Sequence, residues 1–366
     1  MKKYHYTYKT DDLHFPAFSK DCLFLDIETT GFDRRSTFLT IIGLAWMEED
    51  HIIIEQWFND TGAIKEPILL MELEKLICQR NFPTLLHYNG TTFDLPYLKT
   101  KYETYHLPTS LCDCNSIDLY RLAKKYRSFL DLKGLKQKNL EECFGLYRDD
   151  TLSGQELITA YLDGIKYNNS ELLDMYLLHN KEDMEGMVLL QNLLKLDSVF
   201  HGSFEITSWE HSQDHPHLFV ELEHGCYLPK PLSFSYHDIH ITFEKKKATI
   251  QIPIVELEAR YFFPNYKDYY YLPFEDRAIH KSVSSFVEKE FRQKATKETC
   301  YIKKTASYLP LPLSENSRAR KECLKECCDL ELFYENYGDS TAYVSVSLEN
   351  EAHRKILIKI LLLSLL

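Results

Sequence analysis

The sequence predicts an α/β domain, a mixed sheet flanked by helices, followed by a smaller α+β domain. Three observations carry this reading. Three apolar, β-branched or aromatic runs, Leu23 to Ile27, Phe38 to Met47 and Ile52 to Phe58, follow one another with turn residues but no helix-length segment between them, as in an antiparallel meander. Helix-like and strand-like periods then alternate, giving βββαβα order. At 197–216 the periodicity lapses into a stretch rich in Ser, His, Gly and Pro, and a different pattern follows.

After the meander, apolar spacing predicts a helix over 66–80, a strand over 85–88, a helix over 93–105 and a short strand near 112–117. Short helices follow at 135–144 and 155–162, the second opened by Ser153 with Glu156 three residues on, a capping box. A Pro-free helix from Ser170 to about Leu196 carries Leu172, Leu173, Tyr176, Leu177, Met184, Met187 and Leu190 on its apolar side. This sets a first domain at 20–196, a linker at 197–216 and a second domain at 217–366. In the second domain 219–223, 239–243, 249–254 and 342–348 read as strands, and 274–291 and 349–366 as helices.

Composition narrows the class. In 366 residues, 44% apolar and 27% charged residues with 12 Gly and 13 Pro exclude a disordered, collagenous or repeat chain. A net charge of −12 makes the chain a poor non-specific binder of polyanions, so a nucleic-acid partner must be held by local basic patches or through metal ions. Ten cysteines with no secretory signal in the first twenty residues read as reduced thiols in a cytoplasmic protein. The one long apolar run, ILIKILLLSLL, is broken by Lys359 and Ser364 and is about half a membrane span, so it reads as core. Neither a membrane nor an obligate protein partner is expected. No phosphate loop, dinucleotide fingerprint or nucleophile elbow is present.

The chemistry lies in three short motifs. LFLDIETTGF places Asp26 and Glu28 two apart on a strand, hence on one side of it, where it ends in a Thr-Thr-Gly turn. Paired carboxylates on a strand with apolar neighbours are expensive without a cation, which points to metal ligation. LLHYNGTTFDLPYL runs from a strand through Asn89-Gly90 and Phe93-Asp94 into a helix start. LLHNKEDMEGM puts His179 and Asp183 four apart on one helical face.

In that chain order, D-x-E, N-x-x-x-F-D and H-x-x-x-D resemble the three exonuclease motifs of the DEDD branch of the ribonuclease H-like superfamily. The chain is most similar to the YprB-type ribonuclease H-like exonuclease-domain family, sharing also Ile117-Asp118-Leu119, the run from Leu146 to Glu156, Tyr161 and His179-Asn180. The YNGTTFDLPYL run resembles the second exonuclease motif of family-B DNA polymerases as well. The likeness covers about 20–196. It implies a ribonuclease H-like mixed sheet, with Asp26, Glu28, Asp94 and Asp183 as the metal-binding acids and His179 as general base. Two hard divalent ions, Mg²⁺ or Mn²⁺, suit all-carboxylate ligands. Asp26 takes the bridging position, Glu28 and Asp183 the nucleophile-side ion and Asp94 the leaving-group side. One departure stands out. Tyrosine-type relatives carry a Tyr four residues before the last Asp and histidine-type relatives a His five before, whereas here a His stands four before. Tyr176 is the fallback base.

Thr29, Thr30, Asn89 and Phe93 are the candidate substrate contacts, through amides, hydroxyls and stacking, and Asp118 is either a fifth acid or a helix start. Cys112, Cys114, Cys323, Cys327 and Cys328 lack the spacing of a zinc site, and His211, His215 and His217 read as linker residues. In the second domain YFFPNYKDYYYLP is followed by His280, Lys281, Lys289, Arg292, Lys294 and Lys297, an aromatic and basic run compatible with nucleic-acid contact. The expected function is a 3′→5′ exonuclease releasing nucleoside 5′-monophosphates from single-stranded DNA or RNA. The alternatives are a catalytically silent nucleic-acid or protein-binding module and an endonuclease with the same metal chemistry.

Overall fold

The computed structural model describes residues 1–10, 18–150, 152–211, 216–313, 317–327 and 329–366, and divides into two compact units, Met1–Lys195 and Leu196–Leu366. Thr151, His215 and Cys328 lie outside the described residues.

The first unit runs β1 (Lys2–Lys9), β2 (Cys22–Thr29), β3 (Leu39–Glu48), β4 (His51–Phe58), α1 (Glu66–Arg80), β5 (Thr84–His87), α2 (Asp94–Thr104), β6 (Asn115–Asp118), α3 (Leu119–Lys125), α4 (Gln137–Cys143), α5 (Gly154–Tyr167) and α6 (Ser170–Leu190). Its six strands are ordered β1-β4-β3-β2-β5-β6. The pairs β1/β4, β4/β3 and β3/β2 are antiparallel, and β2/β5 and β5/β6 are parallel, so β2 lies where the meander meets the parallel pair. The mixed α/β sheet read from the sequence is thus present.

Alternation divides the sheet into two buried faces. Leu23, Leu25 and Ile27 of β2 join Leu69, Leu73, Tyr97 and Leu98 of α1 and α2 in one cluster. On the other face Ile41 and Phe58 pack with Leu157, Tyr161, Tyr176 and Leu177 of α5 and α6. The Ser153 capping box forms, with Glu156 accepting the Ser153 N–H at 2.7 Å. Asn169 caps α6 by accepting from Glu171 and Leu172.

Several boundaries differ from the expectation. A start at residue 20 leaves out β1, which pairs with β4 along its whole length. The long helix stops at Leu190, and α7 (Asn192–Phe200) begins after Gln191. The described part of the expected linker is structured: its first residues belong to α7, and β7 (Phe204–His211) pairs with β8 (His217–Tyr236).

In the second unit β8 is followed by β9 (Ile239–Pro253), β10 (Val255–Phe262), β11 (Tyr269–Leu272), β12 (Arg277–His280), β13 (Gln293–Lys294), β14 (Tyr301–Pro312), α8 (Ser317–Glu326), β15 (Thr341–Ser345) and α9 (Glu351–Leu363). The strands form three sheets, β7-β8-β9, β10-β14-β15 and β12-β11-β13. The expected strands 239–243 and 249–254 are one strand, irregular near Lys245, whose φ is 53°. The helix expected at 274–291 does not form. Asp276 adopts φ 50° and turns the chain so that Arg277–His280 pairs back on Tyr269–Leu272, and two short 3₁₀ turns follow. α9 buries Leu357, Ile358, Ile360, Leu361 and Leu362. Among the described residues no helix is long and apolar enough to cross a membrane.

Candidate active site

Since the odd residues of β2 pack toward α1 and α2, Asp26 and Glu28 emerge on the face that meets α6. A register irregularity between Glu28 and Thr29 then shifts the pairing with β3, so that Thr29 lies opposite Leu39. Asp94 opens α2 with its side chain buried, and its Oδ1 accepts the Ile27 N–H at 3.1 Å, which fixes it against the backbone between the first two acids.

The approach of α6 depends on Gly43, which faces Asp26 in β3. A Cβ there would stand 2.8 Å from both Asn180 Oδ1 and Met184 Sδ. With that space open, Asn180 donates to Asp26 Oδ2 at 2.8 Å and accepts from the buried Gln56 amide at 2.9 Å. One turn of helix then carries His179 and Asp183 to the acids. His179 Nε2 lies 3.1 Å from Asp183 Oδ2 and 3.7 Å from Glu28 Oε1.

Two groups that the sequence reading did not single out complete the surroundings. Asp150 Oδ2 is 2.7 Å from His179 Nδ1, and its own backbone is held by Glu182, which accepts the Asp149 and Asp150 N–H groups at 2.9 Å each. Arg148 lies 2.6 Å from Asp183 Oδ1 and makes a bidentate pair with the buried Glu141 at 2.5 and 2.6 Å. Glu141 occupies space left by Gly186, where a Cβ would come within 1.7 Å of it. The run from Leu146 to Glu156 belongs to the family resemblance, yet nothing in its spacing tells which of its charges turn inward.

The electrostatics follow from this crowding. Burial, then the charges of Asp183, Asp94 and Glu28, holds the Asp26 carboxyl well above the usual range. Burial raises Glu28 to about 8 against the pull of His179, and raises Asp94 to about 7 against its backbone hydrogen bonds. Burial alone would lower His179. The hydrogen bond and charge of Asp183, then Glu28 and Asp150, overturn that and lift the imidazole to about 10. Asp183 is opposed by burial but falls below the usual range through His179 and Arg148.

This donor set suits a divalent cation. Desolvation raises the carboxyls of Asp26, Glu28 and Asp94, a cost that a cation would offset, and single ligand atoms of Glu28, His179 and Asp183 lie within 4.8 Å of one another. Among the described residues, no group containing cysteine has that arrangement.

The other expected contacts are placed less simply. The Thr29 hydroxyl donates to the Gly31 carbonyl at 2.8 Å and the Thr30 hydroxyl accepts the Phe38 N–H at 3.1 Å, so both close the loop after β2. Asn89 is exposed with φ 60°, and its side chain accepts from the Thr92 hydroxyl. Phe93 meets Phe32 edge to face at 5.9 Å, and Phe32 is 85% exposed. Asp118 caps α3 and accepts the Asn89 N–H at 2.8 Å, bracing the loop before Asp94. Tyr176 is buried, 2.5 Å from the Thr40 hydroxyl, and burial drives its phenol well above its usual value, so it serves the core.

A mixed sheet of this order, with carboxylates gathered at the end of its central strand, defines a ribonuclease H-like fold. Residues 23–195 match the family model of the RNase_H superfamily. Among solved structures, the chain is similar to the family B DNA polymerase from the hyperthermophilic archaeon Pyrobaculum calidifontis. Identity is 16% and the TM-score 0.36, over 49% of this chain and 26% of the polymerase chain. The match thus spans about a quarter of that polymerase. No curated protein matches the chain in sequence.

Proposed function

We propose that this protein is a metal-dependent 3′→5′ exonuclease that hydrolyses single-stranded DNA or RNA to nucleoside 5′-monophosphates. The observation that carries the reading is the meeting of β2, α2 and α6, and through Arg148 and Asp150 the loop after α4, around Asp26, Glu28, Asp94, Asp183 and His179. The YprB-type motifs add direction and product.

Asp26, Glu28, Asp94 and Asp183 would hold two Mg²⁺ or Mn²⁺ ions. Bound there, such ions supply charge neutralisation at the scissile phosphate and lower the pKa of water. The chain's residues do the rest. Asp150 at Nδ1 keeps the imidazole turned so that Nε2 faces Asp183 and Glu28, where it takes the proton of the attacking water as the bond from phosphorus to O3′ breaks. Arg148 favours the ionised form of Asp183 and orients it, while Asn180 orients Asp26 through a hydrogen bond without adding charge. Phe32 and Phe93 offer an aromatic pair next to the acids in sequence, suited to stacking on terminal bases.

The test uses end-labelled and circular single strands of DNA and RNA with Mn²⁺ or Mg²⁺, beside Asp26→Asn. Mononucleotides from linear strands, intact circles and an inactive variant are expected. Cut circles would make the protein an endonuclease, and equal degradation by Asp26→Asn would move the activity away from this site.

A further inference from the structure

The second unit carries a surface that the proposed active site does not use. Its small sheet β12-β11-β13 turns Tyr269 and Tyr271 inward onto Ala278, Ala295 and Cys300. The intervening Tyr270 therefore points the other way, opposite Ile279 and Lys294. Two cations lie over its ring, Arg292 at 4.9 Å and Lys281 at 5.6 Å from the centroid.

The segment that follows is ordered although it forms no long element. His280 caps the turn Lys281–Phe286, Ser284 donates to the Lys281 carbonyl at 2.7 Å, and Arg292 donates to the Ser284 carbonyl. This frame holds apolar rings in water. Phe274 is 85% and Phe286 89% exposed, and Phe291 meets Phe274 at 6.0 Å. Such rings add nothing to a core, and holding them rigidly lowers the entropy lost when a partner binds.

The charges nearby are unevenly used. Glu275 is paired with Arg277 and Asp276 with Lys303, whereas Lys281, Lys289, Arg292 and Lys294 make no ion pair among the described residues. Glu288 and Glu290 are the remaining acids of the segment. In a chain of net charge −12, cations left over beside bare aromatic rings are complementary to a partner that alternates negative charge with flat apolar faces.

We infer that Tyr270, Phe274, Phe286, Phe291, Lys281 and Arg292 form a docking surface for single-stranded nucleic acid. Bases stack on the exposed rings and phosphates sit on the cations. The inference rests on the nuclease reading for its choice of partner, since the same chemistry would also suit an anionic membrane surface.

The experiment uses the full chain in EDTA, where cleavage is stopped, and follows the anisotropy of labelled oligothymidylate and oligouridylate of about twenty nucleotides, longer than one such site spans. Phe274→Ala with Phe286→Ala is expected to weaken binding at least about tenfold. Lys281→Ala with Arg292→Ala is expected to flatten the salt dependence by about 1.4 in log–log slope. Phe286→Ala alone, which alters a fully solvated ring, guards against misfolding of the pair. Hydrolysis of a small phosphodiester in Mn²⁺ should be unchanged in these variants. Wild-type affinity and slope in both multiple variants, or no strand binding by the wild type, would overturn the inference. So would losing binding only to phosphatidylserine vesicles. If the wild type cleaves no strand in Mn²⁺ the nuclease reading fails. If it cleaves and the surface variants bind normally, only the docking surface does.

Discussion

His179 is gripped from two sides, by Asp150 at one nitrogen and by Asp183 and Glu28 at the other, and these partners lift its imidazole to about 10. In the proposed role of general base His179 must give up its proton, so binding of a cation at the acids and deprotonation of the imidazole would be coupled. Mn²⁺ binding at pH near 7 should release about one to two protons, drawn from His179, Glu28 and Asp94. Calorimetry in two buffers of different ionisation enthalpy measures this, and a buffer-independent heat would place the ion away from these groups. Once rates are available, His179→Ala should lower single-turnover cleavage by about 10²–10⁴-fold. Asp150→Asn should lower it by about 10–100-fold with Mn²⁺ affinity nearly kept, because it disturbs the ring's orientation and not the ligand set. Equal rates in Asp150→Asn would reduce the contact to packing.

α6 reaches the acids because β3 has a glycine opposite Asp26. Gly43→Ala should displace Asn180 and Met184, at a cost of about 1–3 kcal/mol in stability. It should also weaken Mn²⁺ binding in the folded protein, since His179 and Asp183 ride on the same helix. A denaturant melt and a metal titration on one sample check both effects, and unchanged binding would show that the helix position tolerates the extra carbon. Such features explain which parts of the molecule were legible in the sequence. Asp26 and Glu28 declare themselves by period two in an apolar strand, and α1 by its spacing and start. Gly43, Arg148, Glu141 and Asp150 matter through contacts with residues far along the chain, which no local period encodes. At 274–291 the local signal misled, because a positive φ at Asp276 makes a hairpin of residues that also suit a helix.

For the whole molecule, the raised carboxyls of the acid cluster predict that stability depends on pH. The folded-state pKa values of Glu28 and Asp94 are raised, so their contribution is complete below about pH 4 and lost as pH rises through about 7 to 8. His179, also raised, contributes below its ordinary value and loses that contribution as pH rises through about 10. Asp183, lowered, works in the opposite sense and matters only as pH falls toward acid. In EDTA the melting temperature should therefore decline from about pH 4 to about pH 8, and further toward about pH 10 through His179, and Mn²⁺ should restore more of it at the upper end. A flat profile in EDTA would mean the acids are solvated or already neutralised. The sheet that bears this charge has β1 on its flank, with Lys2, Lys3 and Lys9 along a strand that covers β4. A chain begun at residue 20, as the sequence boundary invites, would uncover the hydrogen-bonding edge of His51–Phe58 with its run of three isoleucines. Lysine-bearing edges discourage one sheet from templating on another, and an edge led by three isoleucines, with Glu55 its one acid, does so far less. Shortened versions should thus be prone to self-association through added strands, which light scattering would detect, so that absence of the proposed activity in such a preparation would report aggregation and not damage to the acid cluster.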